Sequence, residues 1–114
     1  MAKRKITTEE EALEAVRKDG DALQYVPENL MTAEICLEAV KNYGDALEYV
    51  PKNLWTAEIC LEAISQNRNK IAYATDREGD SYRAKLRNEI ARIYEEMPEE
   101  MREEVRRRLE ESGE

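Results

Sequence analysis

The sequence predicts an all-α protein of short tandem helical repeats, α-solenoid-like, with a period of about 24 residues and a C-terminal helical hairpin as its cap. Three observations predict this fold class. Residues 20–43 align with residues 44–67 at 17 of 24 positions, which helical composition alone does not produce. Apolar residues recur at helical spacing, and threonine, glycine and proline fall at matching places in each copy. We predict one domain, 1–114, with helical repeats over 8–75 and the hairpin over 80–112.

Threonines mark the predicted starts of the longer helices. Thr32 and Thr56 each precede the same helical run, so each is a predicted N-cap. Thr8 lies one period earlier, and Glu11 three residues after it completes the pattern of a capping box. A first, degenerate copy of the repeat therefore precedes residue 20.

Glycine and proline divide each repeat into two helical segments. Gly20 follows the first longer helix and suits the left-handed position beyond a helix end. Asp21 is the predicted cap of a second, shorter helix, and Pro27 ends it because Val26 before a proline is pushed out of helical geometry. The same residues recur 24 positions later.

The apolar residues of each longer helix form one face. Ile35, Cys36, Ala39 and Val40 share this face in the first full copy. We interpret Cys36 and its counterpart Cys60 as buried core residues, because their equivalent places in successive repeats favour a helix spacing too large for a disulfide.

After the repeats the composition changes. Residues 75–80 are polar and form a predicted linker. Asp80 or Ser81 is the predicted cap of a helix that runs to about Met97, and Pro98 begins the second helix of the hairpin.

The repeat resembles a family of short bacterial helical repeats of unknown function. The resemblance covers about residues 8–75, and residues 46–64 match the pattern a second time. It implies a tandem α-helical array and no activity or cofactor. The residues of the first full copy that match the family pattern are Ala22, Leu23, Tyr25, Val26, Pro27, Leu30, Thr32, Ile35, Cys36, Ala39 and Val40.

Composition excludes several classes of function. The chain has no histidine, so the usual general base and the commonest metal ligand are absent, and no phosphate loop or nucleophile–base set is present. We therefore expect neither an enzyme nor a cofactor. Residues 1–5 are basic but precede a polar stretch, and no apolar run approaches membrane-spanning length. We expect a cytoplasmic monomer that binds neither membranes nor, with a net charge of -8, nucleic acid directly.

Aromatic residues recur at one place in the repeat. Tyr25 and Tyr49 form a predicted column, and Trp55 replaces Met31 between the two copies. Tyrosine and tryptophan are enriched at interfaces, so these four residues are candidate partner contacts, although structural packing with the hydroxyl at the rim explains a tyrosine column as well.

The repeats are also acidic. Thirteen acidic residues stand against four basic ones between positions 9 and 62. Glu34 with Glu38, and Glu58 with Glu62, place like charges on one helix face. Such a face suits a partner with a basic surface, but it is also what solvation of a small protein requires.

Three functional hypotheses follow. The first is a non-enzymatic protein-interaction module whose protein partner contacts the repeat face. The second is an acidic inhibitor that mimics nucleic acid against a nucleic-acid-binding protein. The third is an engineered or generated chain with no evolved partner, which the alternating glutamate and arginine of the last helix suggest.

Overall fold

The computed structural model describes residues 6–74 and 79–111, and within these ranges the chain is all-helical without a strand. This confirms the predicted all-α class. The chain divides into two compact units, Met1–Trp55 and Thr56–Glu114, called here the N-terminal and C-terminal units. The single domain predicted for 1–114 stays a prediction.

Helices in the N-terminal unit recur in the same order. The described helices are α1 (Glu9–Lys18), the 3-10 helices η1 (Gly20–Tyr25) and η2 (Glu28–Leu30), α2 (Ala33–Asn42), and the 3-10 helices η3 (Gly44–Tyr49) and η4 (Lys52–Leu54). The second set of 3-10 helices begins and ends 24 residues after the first. The shorter helix of each copy is thus a 3-10 helix of six residues, which is long for this type of helix.

Threonine caps begin the longer helices as predicted. The Thr8 hydroxyl accepts from the Glu11 backbone N–H at 3.1 Å, and the Glu11 carboxylate accepts from the Thr8 N–H at 3.1 Å. Thr32 and Thr56 accept from the N–H groups three residues later at 3.2 and 3.1 Å. The capping box and both N-caps are confirmed.

Gly20 is needed for space and not for a left-handed backbone. Gly79 is the glycine with a positive φ among the described residues, so the left-handed position predicted for Gly20 is wrong. A Cβ on Gly20 would lie 2.4 Å from the Ala39 carbonyl oxygen and 2.7 Å from the Tyr43 Cβ. Glycine therefore lets η1 lie directly against the end of α2.

The cap of η1 is also displaced from its predicted place. Asp19, and not Asp21, is the N-cap, and its carboxylate accepts from the Asp21 N–H at 3.0 Å. The Asp21 side chain is thereby available for other contacts. Val26 is extended before Pro27, as predicted.

The core of the N-terminal unit is built from the predicted apolar faces. In this unit α1 packs on α2, both contact η1, and η3 packs on α2 and η1. Cys36 lies fully buried among aliphatic residues, as expected. The buried side chains are Ala12, Val16, Leu23, Val26, Ile35, Cys36, Ala39, Val40, Ala46, Leu47 and Val50.

The C-terminal unit is organised around its first helix. Its helices are α3 (Ala57–Tyr73), α4 (Gly79–Glu96) and α5 (Glu99–Glu111), and both α4 and α5 pack on α3. Because α4 begins at Gly79, the caps predicted at the next two residues lie inside its first turn. The predicted linker positions 75–78 and the hairpin end at 112 lie outside the described residues. The buried apolar residues are Ile59, Cys60, Ala63, Ile64, Leu86, Met97 and Val105.

Candidate functional site

The two tyrosines of the predicted column have different surroundings. Tyr25 is 51% exposed on η1. Tyr49, its counterpart on η3, is half-buried, and its hydroxyl donates to the Asp21 carboxylate at 3.1 Å. The second tyrosine is thus held by a bond between η3 and η1, whereas the first presents its ring to solvent.

Trp55 and Met31 are both half-buried. The Trp55 indole Nε1 donates to the Val50 carbonyl at 3.1 Å, which holds the ring against its own turn. Part of the indole surface is therefore used within the N-terminal unit, and its role as a partner contact stays a prediction.

The four predicted glutamates are not equivalent. Glu34 and Glu58 are exposed, whereas Glu38 and Glu62 are half-buried. The Glu38 carboxylate lies 3.2 Å from the Arg17 Nε and 3.9 Å from the Lys41 Nζ. Basic side chains of the same unit therefore offset the Glu38 charge.

Tyr43, which sequence reasoning did not select, is 39% exposed at the junction of α2 and η3. Its phenol lies beside the Asp45 carboxylate and feels the charges of Asp21 and Glu48. Because the Tyr49 hydroxyl binds Asp21, both tyrosines share this carboxylate environment. We call Asp21, Tyr43, Asp45, Glu48 and Tyr49 the tyrosine–carboxylate cluster.

Nearby carboxylates act on both phenols of the cluster. The charge of Asp45 is the main cause that raises the pKa of Tyr43, followed by burial and the charge of Asp21. Burial is the main cause that raises the pKa of Tyr49, and the hydrogen bond to Asp21 adds to it. Both phenols therefore stay neutral hydrogen-bond donors at neutral pH.

Local hydrogen bonds hold the cluster in place. The Asp21 carboxylate accepts from the Gln24 amide at 2.8 Å as well as from Tyr49. The Tyr43 backbone is extended, and its N–H donates to the Ala39 carbonyl at 2.8 Å. Both sides of the cluster are thus fixed by bonds within the N-terminal unit.

Asn42, an exposed residue at the end of α2, links the two copies by hydrogen bonds. Its Oδ1 accepts from the Gly20 N–H at 2.7 Å, and its Nδ2 donates to the Arg17 carbonyl at 3.0 Å. One side chain therefore pairs a donor and an acceptor at the end of α1, where a helix leaves backbone groups without helical partners.

One signal in the sequence could have identified Tyr43. The position equivalent to Tyr43 is Asp19 one period earlier and Asn67 one period later. Asp19 caps η1, but Tyr43 makes no side-chain cap bond to η3. An aromatic residue that interrupts a repeated polar position without taking over its structural role is a functional candidate.

The cysteines offer no reactive group. Burial raises the pKa of the Cys36 thiol to about 11 and that of the Cys60 thiol to about 12, so both are protonated at neutral pH. Residues 6–74 and 79–111 contain no group of three side chains placed to hold a metal ion. No helix in these two ranges is long and apolar enough to cross a bilayer.

Comparison with known proteins identifies one family. The family model described as "Domain of unknown function (DUF4116)" matches residues 8–55 and, overlapping them, residues 34–77. No curated protein and no solved structure matches the chain.

Proposed function

Because the chain belongs to the family described as Domain of unknown function (DUF4116), which assigns no activity, we propose a function from its surface: a non-enzymatic protein-interaction module. In this proposal the copies of the repeat stack as a short α-solenoid and present one face to a protein partner. Packing within the N-terminal unit supports the stacking, because α1 lies on α2 and η1 lies on η3. Short helices with apolar stripes gain stability from such stacking.

The observation that carries the proposal is the placement of aromatic residues. The core of the N-terminal unit consists of aliphatic side chains and Cys36. The rings of Tyr25 and Tyr43 are not part of this core and are exposed. Tyrosine is enriched at protein interfaces because it offers a large, rigid, apolar area and a hydroxyl. The exposed parts of these two rings are therefore surface that a partner can contact.

The partner in this proposal has a basic surface. The N-terminal unit, Met1–Trp55, has eleven acidic and seven basic residues, and three of the basic ones precede the repeats. Charge of one sign speeds encounter with an oppositely charged partner and disfavours nucleic acid itself.

The hypothesis of a nucleic-acid mimic draws on the same charge. A mimic needs an array of carboxylates whose charges remain unneutralised, and Arg17 and Lys41 offset one of the predicted members, Glu38. Tyrosines beside the remaining carboxylates also suit a protein partner better than a phosphate-like surface. A steep loss of binding with salt would favour the mimic.

Affinity capture with matched variants tests the proposal. Tagged wild-type protein and a Tyr25→Ser/Tyr43→Ser variant are used to capture partners from a lysate of the source cells. The control is Tyr73→Ser/Tyr82→Ser, which removes two exposed tyrosines of the C-terminal unit. Circular dichroism establishes that each variant is folded.

We expect the first pair of substitutions to abolish capture of a partner that the control retains. Retention by both variants, or loss by both, would contradict a site on the N-terminal unit. An inert wild-type chain that captures nothing above a blank resin would instead support the hypothesis of an engineered protein without a partner.

A further inference from the structure

We infer that Met101 is a site of oxidation by hydrogen peroxide, and that its sulfoxide releases α5 from α3 and exposes the Cys60 thiol. The site lies in the C-terminal unit and is independent of the partner proposed for the N-terminal unit. Two features support it: a half-buried thioether beside a fully buried thiol, and the narrow apolar stripe of α5.

Two sulfur atoms meet between α3 and α5. The Cys60 thiol of α3 donates to the Met101 thioether of α5 at 3.9 Å. Cys60 is fully buried, whereas Met101 is half-buried and therefore partly open to solvent. A small oxidant that approaches from solvent thus reaches the methionine before the cysteine.

The two sulfur atoms also differ in reactivity. Peroxide attacks thiolates, and burial raises the pKa of Cys60 to about 12, so this thiol stays protonated and unreactive. A thioether has no proton to lose and reacts as it is. The other methionine of the C-terminal unit, Met97, is only 2% exposed. Met101 is therefore the sulfur of this unit that peroxide oxidises first.

The reaction needs only peroxide. The Met101 sulfur attacks one peroxide oxygen, the S–O bond forms, and the O–O bond breaks. The hydroxide that leaves removes the proton from the S–OH group, so thioether and hydrogen peroxide become sulfoxide and water. Sulfur is oxidised by two electrons and peroxide is reduced. An apolar side chain thereby becomes polar, and sulfoxide reductases reverse the change.

A narrow apolar stripe attaches α5 to its unit. Val105 is the one buried side chain among the 13 residues of α5, and Met101 and Leu109 are half-buried four residues to either side of it. Residues at this spacing share one helix face. The ten residues of α2, by comparison, include four buried side chains. Met101 is thus one of three apolar side chains on which the packing of α5 depends.

Oxidation of Met101 weakens this packing at one end. Burial of a sulfoxide oxygen without a good donor costs free energy, and the Cys60 thiol is only a weak donor. If the oxygen instead turns to water, the Met101 side chain leaves Cys60. The other faces of α5 are rich in glutamate and arginine, so the helix stays hydrated when it separates from α3. Either course opens a path to the Cys60 thiol.

The experiment uses this thiol as the reporter. Folded protein is treated with hydrogen peroxide, the excess is removed with catalase, and the rates at which N-ethylmaleimide labels Cys60 and Cys36 are measured by mass spectrometry. Cys36 is equally buried in the N-terminal unit and is the internal control. The proteins are wild type, Met101→Leu and Met31→Leu, and the last removes a half-buried methionine of the N-terminal unit instead.

We expect Met101 to gain one oxygen before Met97 does. Labelling of Cys60 should then accelerate about tenfold, while labelling of Cys36 stays unchanged. Met31→Leu should respond as wild type does. Met101→Leu keeps an apolar side chain of similar size and should keep Cys60 protected. Methionine sulfoxide reductases should restore the protection of Cys60 in the oxidised wild-type protein.

Cys60 that stays protected in protein oxidised at Met101 would overturn the inference, and so would exposure of Cys60 in peroxide-treated Met101→Leu. Equal acceleration at Cys36 and Cys60 would show unfolding of the whole chain and would overturn it as well.

If Met101→Leu is unfolded by circular dichroism, the wild-type protein decides the matter after partial oxidation. Fragmentation of intact ions should then find the maleimide on Cys60 in the molecules that have the oxygen on Met101. A label that is distributed without regard to this oxygen would refute the coupling.

Discussion

Replacing Gly20 by alanine tests how the repeats approach each other. The new Cβ would lie 2.4 Å from the Ala39 carbonyl oxygen and 2.7 Å from the Tyr43 Cβ, where real contacts need more than 3 Å. Backbone must therefore move by several tenths of an ångström, and such overpacking costs about 1–3 kcal/mol. Alanine also lowers the conformational entropy of the unfolded chain, which stabilises the folded state by about 0.4–1 kcal/mol. The expected net loss is about 1–2 kcal/mol.

Thermal unfolding followed by circular dichroism at 222 nm measures this loss. Each kcal/mol lowers the midpoint of a domain of this size by about 4 °C. Gly79 provides the matched control, because its φ is +76° and a Cβ there meets nothing within 4 Å. At Gly79 the cost of alanine is backbone strain, and asparagine, which tolerates the left-handed region, should be less harmful than alanine.

The ranking should reverse at Gly20, where the larger asparagine should be at least as harmful as alanine because the cost there is steric. An unchanged or higher midpoint for Gly20→Ala would refute the close-contact explanation. Asparagine outperforming alanine at Gly20 would instead show that backbone conformation decides the residue type there.

Three further outcomes follow from the hydrogen bonds and burial. Asn42→Ala should cost about 0.5–1.5 kcal/mol in urea unfolding, because it removes the hydrogen bonds that Asn42 makes to the Gly20 N–H and the Arg17 carbonyl. Asn69→Ala, on an exposed face of α3, should be neutral or slightly stabilising. Cys36 and Cys60 should react with a thiol reagent only after urea is added, because burial raises the pKa of each thiol; reaction of the native protein would contradict this. Hydrogen bonds from the neighbouring threonines, the side-chain bond first, lower the pKa of Glu11, so its carboxylate stabilises the fold at neutral pH and this stabilisation is lost as the pH falls through the lowered pKa. The gap in midpoint between wild type and Glu11→Gln should therefore close in acid, and a constant gap would disprove the linkage.

Local signals predicted much of the fold. Threonine caps, the proline breaks and the inward apolar faces each depend on residues within one helical turn, and the structure has them where the sequence predicts them. The role of Gly20 was not predictable in this way. Its reason lies in Ala39 and Tyr43, about one period away in the chain, and a capping glycine looks the same in the sequence.

The end of the third copy shows the same limit. Arg68 occupies the place of the glycine that follows α1 and α2, and α3 continues through it to Tyr73. The Asn67 Nδ2 donates to the Glu89 carboxylate of α4 at 3.2 Å, so a different element packs there. Loss of the glycine marks the end of the repeat in the sequence, but the length of α3 depends on a partner helix that the repeat does not specify.

The candidate site was only partly visible because it depends on tertiary contacts. Tyr49 was predicted from its column, but its bond to Asp21 requires η1 and η3 to lie side by side. Asp21 was assigned to a cap, and Asp19 takes that role. Tyr43 also differs between the copies, as Trp55 and Met31 do, but the sequence does not show that carboxylates surround it.

Tyr43 stands where a stabilising residue would serve the fold better. The first copy has a capping carboxylate at this position, and the cap of η3 has no side-chain bond. Tyr43→Asn should therefore be more stable than Tyr43→Ala by about 1 kcal/mol, because both lose the ring and only asparagine caps. Both variants should also lose capture of the partner in the proposed function, because both lack the Tyr43 ring. If Tyr43→Asn and Tyr43→Ala were equally stable, a residue at position 43 would not be able to cap η3. There would then be no reason to think that tyrosine at this position serves recognition at the expense of stability. A difference in stability between the two variants, together with weaker partner binding by both, would show that the Tyr43 ring favours binding and disfavours stability.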